Sequence, residues 1–318
     1  MKTVFLGTPS PAVPFLKALA EIFPPSLVIT RPDARSGRGQ QLLPSPVKEA
    51  AQTLGLPVAT PSSDAELNAA LESAGAQAAF VVAYGRILKP QTLRLLPKGF
   101  VNIHFSLLPK YRGAAPAQWA LINGETETGV SAFKIESGLD TGPLLGTKKV
   151  AIGEKDDAVS LMDKLIAEGL PLMREVACAL ADGTAREVPQ TGEASQAPKL
   201  DKNLARLDFD KAASEINNLV RGLQLGPMPY VLCPSQNKLV RVQLLKTSCA
   251  QAAAQDLKNA GIGRVVRIER HSGFVVECKY SSLLLVETVR PEGKKPMSAA
   301  DFAGGLKMGP GAVFAARD

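Results

Sequence analysis

Four short apolar runs, residues 2–6, 26–30, 78–84 and 100–104, are separated by helix-sized segments, and this alternation constrains the fold more than any other feature. The runs (KTVFL, SLVIT, AAFVVAY, FVNIH) are almost continuously apolar, as strands buried on both faces must be. Residues 11–20 space Val13, Leu16 and Ala20 along one helix face, residues 48–54 follow Pro46 as a helix, and residues 65–74 are Ala/Leu/Glu-rich. Strands alternating with helices predict an α/β fold with a doubly wound, mainly parallel sheet. Ligands of such sheets bind beyond the carboxyl ends of the strands, where Tyr84-Gly85 and His104 fall.

Residues 161–182 form a long amphipathic stretch, a last helix with Gly183 as its C-cap. Residues 185–203 are rich in Pro, Gln, Gly, Ser and Ala and read as a linker. Beyond it, residues 212–223 read as one helix, and LVRVQLL, GRVVRIER, GFVVECK and SLLLVETV as short strands of a small antiparallel barrel. The expected organisation is therefore a catalytic domain at 1–184, a linker at 185–203 and a second domain at 204–318.

Charge is unequally divided between these parts. Residues 203–318 hold 16 Lys and Arg against 10 Asp and Glu, a net +6 of the chain's total +7. Such a surface either solubilises the domain or meets a polyanion. No run approaches the roughly 18–20 apolar residues of a membrane span, and the N-terminus lacks a signal peptide's long apolar segment and cleavage site. Cys178, Cys233, Cys249 and Cys278 have neither C-x-x-C spacing nor histidine partners. They read as reduced packing residues of a cytoplasmic protein, with no metal site expected.

The chain has only two histidines, His104 and His271. Asn102 and His104 are two apart on the last apolar run, so they project from one face of a strand. Ser106-Leu107-Leu108-Pro109 cannot prolong that strand and must turn over it. Asp140 lies between Gly138 and Gly142, in a turn whose backbone could approach a ligand closely. An amide donor, an imidazole and a carboxylate suffice for acyl transfer to an amine. Alone, Asn-x-His is equally a tied turn with a satisfied core histidine. Ser106 lacks the Gly-x-Ser-x-Gly elbow of a nucleophile, and Gly7-Thr8-Pro9 lacks the remainder of a dinucleotide fingerprint.

Asn-x-His-x-Ser-Leu-Leu-Pro at 102–109 and Leu-Asp-Thr-Gly at 139–142 resemble the signature of the 10-formyltetrahydrofolate-dependent formyltransferases. The likeness extends over Phe-Leu-Gly-Thr-Pro at 5–9, Arg-Pro-Asp at 31–33, Pro-Ser-Pro-Val-Lys at 44–48, Val-Val-Ala-Tyr-Gly at 81–85, Arg-Gly-Ala-Ala-Pro at 112–116 and Gly-Lys-Lys-Pro-Met-Ser-Ala at 293–299. Phe105 departs from it by standing where the family usually has a small residue, and residues 225–229 depart by replacing an Asn-Pro-Trp-Pro-like stretch.

The resemblance implies a Rossmann-like formyltransferase domain followed by an oligonucleotide-binding-like (OB-like) barrel. It implies 10-formyltetrahydrofolate as formyl donor, no metal, and initiator methionyl-tRNA as the acceptor whose amine is formylated for translation initiation. The catalytic residues it implies are Asn102 and a protonated His104 on the oxyanion, with Asp140 assisting proton transfer. The folate site it implies is Tyr84, Gly85, Arg86, Ile87 and Leu88 together with Ser106, Leu107, Leu108 and Pro109; the leucines could equally pack a structural loop.

Residues 30–48 carry Arg31, Arg35, Arg38 and Lys48 and no apolar residue between Pro32 and Leu42 other than Ala34. This composition predicts a flexible loop, and the resemblance makes it a tRNA contact, with the chain acting as a monomer. Relatives acting on glycinamide ribonucleotide or amino-sugar nucleotides would share the Asn/His/Asp kit. A non-catalytic RNA-binding module would not need all three residues.

Overall fold

The computed structural model describes residues 1–36, 41–235, 238–253, 256 and 261–314. It divides into one compact unit of residues 1–116, 127–151 and 162–198, and a second of residues 117–126, 152–161 and 199 onward.

In chain order the elements of the first part are β1 (Thr3–Gly7), α1 (Val13–Ile22), β2 (Leu27–Ile29), β3 (Ala34–Ser36), β4 (Gln41–Leu43), α2 (Pro46–Thr53), β5 (Val58–Ala59), α3 (Asp64–Ala74), β6 (Ala78–Val82), α4 (Pro90–Leu93), β7 (Phe100–His104), α5 (Pro116–Ile122), β8 (Glu127–Lys134), β9 (Leu144–Ala151) and α6 (Ala158–Asp182). The main sheet runs β5-β2-β1-β6-β7-β8-β9. Its first five strands are parallel, and β8 and β9 extend it antiparallel. Every residue of β1 and β6 is buried, which is why these strands read as unbroken apolar runs. The order reverses beside β1, which opens a crevice at the carboxyl ends of β1 and β6. There Thr8 Oγ1 donates to the Tyr84 carbonyl at 3.0 Å.

Local chemistry fixes the helix ends. Ser45 Oγ caps α2 from the Lys48 N–H at 3.1 Å, and Ser63 Oγ caps α3 from the Glu66 N–H at 3.2 Å. The Glu66 carboxylate reaches back to accept from the Ser62 N–H, one residue before the cap. Gly75 closes α3 in the left-handed conformation at φ 56°.

The segment at 30–48 is less irregular than its composition predicts. β3 and β4 pair as an antiparallel hairpin, Ala34 opposite Leu43 and Ser36 opposite Gln41. The segment at 127–151 adds two strands, β8 almost wholly buried and β9 half-exposed. Glycines 129, 142 and 146 interrupt its pattern, and two of them admit a close neighbour. A Cβ on Gly129 would lie 2.2 Å from the Lys148 carbonyl, and one on Gly142 would lie 1.8 Å from the Lys134 carbonyl.

The second unit is built from α7 (Ala213–Gly222), β10 (Tyr230–Ser235), β11 (Lys238–Ala250), β12 (Val265–Glu269), β13 (Gly273–Glu277), β14 (Leu283–Pro291), β15 (Met297–Ser298) and α8 (Ala299–Gly305). Its antiparallel sheet runs β10-β11-β14-β13-β12, with β15 on β14. Val242, Leu244, Val275, Leu284, Val286 and Val289 are buried, and α7 packs on β11 and β14. Residues 117–126 are part of this unit for a visible reason. Gln118 Nε2 donates to the Gly222 and Gly226 carbonyls at 2.8 and 3.0 Å, and Gly222 lies so close to Ile122 that a Cβ there would clash at 2.6 Å. Arg221 likewise donates to the Gly153 and Glu154 carbonyls.

Residues 185–198 do not hang free as a linker but hydrogen-bond within the first unit. Val188 and Leu144 exchange backbone bonds, and Arg112 and Ala197 pair through Arg112 O. All four cysteines are free. Burial pushes the Cys233 thiol up to about 11 and Cys278 up to about 12, so both are inert packing groups, whereas Cys178 and Cys249 are exposed.

Candidate active site

Asn102 and His104 leave β7 on the same face, and the strand's register against β6 and β8 fixes both. His104 is 5% exposed, its ring edge-on to Phe133 with centroids 6.3 Å apart. The Asn102 amide is half-buried and has no protein partner among the described residues. Phe105 points the other way, onto Phe15 of α1 at 6.0 Å between centroids, and Phe15 in turn sits where a Cβ on Gly169 would strike it. The bulky residue at 105 thus repacks the sheet's far side and does not reshape the wall around His104. His271, the other histidine, is exposed in the turn between β12 and β13.

After His104 the chain folds over itself. Ser131 Oγ donates to the Ser106 carbonyl at 2.7 Å and accepts from the Leu108 N–H at 3.1 Å, while Ser106 Oγ donates to the Lys110 carbonyl at 2.6 Å. Ser106 is thereby a loop tie and not a free nucleophile. Leu108 and Pro109 are buried, and half-buried Leu107 occupies the space a Cβ on Gly129 would take. The turn delivers the Tyr111 carbonyl to His104 Nε2 at 2.9 Å and the Gly113 N–H to Asp140 Oδ2 at 2.8 Å. Asp140 Oδ2 also lies 3.8 Å from His104 Nδ1. His104 and Asp140 therefore meet at the carboxyl end of β7, and Asn102 stands on the same face of that strand.

Tautomer and charge follow from these partners. A carbonyl oxygen only accepts, so His104 Nε2 carries the hydrogen and the neutral ring leaves Nδ1 bare. A bare nitrogen facing a carboxylate makes no hydrogen bond, consistent with the 3.8 Å gap. Burial pushes the His104 pKa below its usual 6.5, outweighing the upward pull of Asp140 and of the Tyr111 carbonyl. Desolvation thus favours the neutral ring in the free protein, whereas the nearby Asp140 carboxylate favours the protonated one.

Asp140, Tyr111 and Ala83 all have left-handed backbones, at φ 51°, 62° and 48°. Such conformations cost non-glycine residues roughly 1–3 kcal/mol and persist where surrounding bonds impose them. The glycines flanking Asp140 lie close to the protein's own chain. A Cβ on Gly138 would meet Thr141 Oγ1 at 2.1 Å, and Gly142 presses on the Lys134 backbone.

The expected folate residues form a second loop at the end of β6. Tyr84 is buried, its hydroxyl is without a partner among the described residues, and burial raises its pKa. Gly85 turns at φ 77°, Ile87 is 80% exposed, and Leu88 is buried. Arg86 pairs with Asp64, and Arg31 donates to the Gly85 carbonyl at 3.1 Å. Arg31, Pro32, Pro61, Ser62 and Arg86 line a cleft of about 350 Å³. An exposed isoleucine, turning backbone and an unsatisfied hydroxyl are features a flat, hydrogen-bonding heterocycle can use.

Among the expected tRNA residues, Arg35 is exposed on β3, and Arg38 lies outside the described residues. Lys48 is committed to Asp33, whose two carboxylate oxygens it contacts at 2.8 Å each, so it braces the base of the hairpin. Among the described residues no cluster of three or more His, Cys, Asp or Glu is placed to hold a metal. Sequence reasoning missed Tyr111, Gly113, Ser131, Gln190 and Ser195. Their contributions run through carbonyls, amides and hydroxyls that no residue spacing announces.

The family model described as formyl transferase matches residues 1–176, and that of the formyl transferase C-terminal domain matches residues 199–307. The chain belongs to the formyl transferase family. It is 41% identical to a methionyl-tRNA formyltransferase of Elusimicrobium minutum, covering 99% of both chains, and 41% identical to one of Thermus thermophilus, covering 98% of both. Among solved structures, the N-formyltransferase of Helicobacter canadensis in complex with folinic acid and dTDP-3-aminofucose superposes with a TM-score of 0.66 at 23% identity, over 90% of this chain and 98% of that one.

Proposed function

We propose that this enzyme transfers the formyl group of 10-formyltetrahydrofolate to the amine of initiator methionyl-tRNA in the cytoplasm. The observation that carries this reading is the roughly 40% identity to methionyl-tRNA formyltransferases over nearly the whole of both chains, which spans both units. The sugar-modifying relative shares the fold at far lower identity. Incubation with the formyl donor and charged initiator tRNA should yield formylmethionyl-tRNA, whereas a dTDP-amino sugar should remain unmodified. The opposite selectivity would overturn the proposal.

In the reaction the acceptor nitrogen attacks the formyl carbon, and the carbonyl oxygen gains charge. The Asn102 amide, which has donors to spare, stabilises that oxyanion. The attacking amine must lose a proton, and the bare Nδ1 of neutral His104 takes it. The imidazolium so formed faces the Asp140 carboxylate, which converts a 3.8 Å contact into an ion pair. The proton then passes to N10 of the folate as the C–N10 bond breaks. Tyr84–Leu88 and Ser106–Pro109 flank the folate.

This proton path has a pH signature. The active form carries neutral His104, whose pKa lies below 6.5. Activity at subsaturating substrate should therefore stay level as pH falls from 8 through 6.5 and decline only below that. Asp140→Asn removes the upward pull on the ring, so the acid limb should move to still lower pH while turnover falls by about 10²-fold. A wild-type profile and turnover in that variant would exclude Asp140 from the mechanism.

Both the arginines near the hairpin and the basic second unit are proposed tRNA contacts. Deleting residues 204–318 would strip α7 from α5 and expose Ile122, so that deletion is a poor test of charge. Lys294 and Lys295 are exposed between β14 and β15. Changing both to glutamine should weaken tRNA binding and flatten the dependence of log Kd on log salt by roughly 1–2. An unchanged slope would make them solubilising charges only.

A further inference from the structure

The segment at 188–197 crosses both loops that carry the catalytic groups, and one side chain in it ties them together. Gln190 Nε2 donates to the carbonyl oxygens of Asp140 and Gly142 at 2.8 Å each. Its Oε1 accepts from Arg112 Nη2 at 2.7 Å. The amide's orientation is dictated by these partners, since carbonyls only accept and a guanidinium only donates; a flipped amide would lose all three bonds. Both amide hydrogens are therefore spent on the turn that carries Asp140.

That turn needs holding. Asp140 has a left-handed backbone, and its flanking glycines leave the local chain few restraints of its own. Gln190 fixes the peptide immediately after Asp140 and the one two residues later, and with them the direction in which the carboxylate leaves the backbone. Through Arg112 it also grips the opposite loop, where the Tyr111 carbonyl holds His104 Nε2 and the Gly113 N–H holds Asp140 Oδ2. Ser195 reinforces this side, its Oγ accepting from the Tyr111 N–H at 2.9 Å. One carboxamide thus spans both supports of the His104–Asp140 pair.

We propose that Gln190 is a positioning residue for formyl transfer, setting the separation of Asp140 from His104 without touching substrate. The inference rests on the reading that this pair moves the proton. It places a determinant of activity in a stretch whose composition reads as a linker.

The test is a double-mutant cycle measured at saturating 10-formyltetrahydrofolate and charged initiator tRNA. Gln190→Met keeps the side chain's length and removes every hydrogen bond. Turnover should fall about 10- to 100-fold, the range expected when a catalytic group is displaced by about an ångström. The KM for either substrate should change less than about twofold, because no binding group is lost. In an Asp140→Asn background the same substitution should cost less than about twofold, since residues acting through one group are not additive. Should Gln190→Met fail to fold, the cycle is run with Gln190→Glu, which keeps the Arg112 contact but sets a carboxylate against the two carbonyls. Wild-type turnover of the Gln190 variant, a loss confined to KM, or an undiminished loss in the Asp140→Asn background would each overturn the inference. Wild-type turnover of Asp140→Asn alone would overturn the catalytic reading beneath it.

Discussion

His104→Ala should lower single-turnover formylation of charged initiator tRNA by about 10²–10⁴-fold, the usual contribution of a positioned proton acceptor. The imidazole stands between two groups, its Nε2 donating to the Tyr111 carbonyl and its Nδ1 3.8 Å from the Asp140 carboxylate. Its removal takes away the acceptor of the amine proton, and an added external base such as imidazole should restore part of the rate. Stability should change too. The Tyr111 carbonyl would lose the His104 N–H, and the loss of one hydrogen bond costs about 0.5–1.5 kcal/mol. His104→Gln separates the two effects, because its amide can still donate to that carbonyl but cannot take up a proton at neutral pH. Low turnover with near-native thermal stability in His104→Gln is the expected result. Turnover near wild type in that variant would remove His104 as the base.

The same residue links stability to pH, with a definite sign. A folded-state pKa below 6.5 means that the unfolded chain binds the proton more readily than the folded one as pH falls past 6.5. This histidine's contribution is thus fully present above that pH and lost progressively below it. Replacing it with glutamine should flatten the acid side of the stability curve near pH 6.

What the sequence revealed and what it hid divide along physical lines. β1, β6 and β7 were legible because strands buried on both faces must be apolar throughout, and α1, α2 and α3 because helix-forming composition, apolar spacing and Pro46 are local features. β8 and β9 were not, because Gly129 and Gly146 interrupt them where a Cβ would strike the Lys148 carbonyl at 2.2 Å and Leu172 Cδ1 at 2.8 Å. The shared face of Asn102 and His104 was legible from strand alternation, while the approach of Asp140 to His104 depends on the fold. The surroundings of His104 were not, since they depend on burial and on a carbonyl seven residues away. The role of residues 188–197 was hidden for a related reason. A segment that works by hydrogen-bonding backbone to backbone needs small polar residues, and that is also the composition of a linker. Residues 117–126 and 152–161 joined the second unit through Gln118 and Arg221, long polar side chains reaching carbonyls far along the chain. No periodicity encodes such contacts.

Asn102→Ala should reduce turnover by about 10²–10³-fold, the loss typical of removing one donor to a developing oxyanion. The side chain stands on the same face of β7 as His104 and is half-buried, yet its amide is tied to no group of the protein among the described residues. A half-buried amide without a protein partner is left to solvent, and a substrate oxygen is a partner it can acquire. Because no protein group is left unsatisfied when it is removed, folding should be almost unaffected, and the strand register set by Val81 and Phe133 should persist. The loss should fall on kcat rather than KM, since the oxygen is more negative in the transition state than in the bound donor. Asn102→Asp sharpens the test. It keeps the size of the side chain but substitutes an acceptor for the donor, so a carboxylate would confront the oxyanion and turnover should fall at least as far as in the alanine variant. A structural role would predict the reverse order, with the isosteric aspartate tolerated better than alanine. Near-normal turnover of Asn102→Ala at saturating tRNA would mean that the oxyanion is stabilised elsewhere.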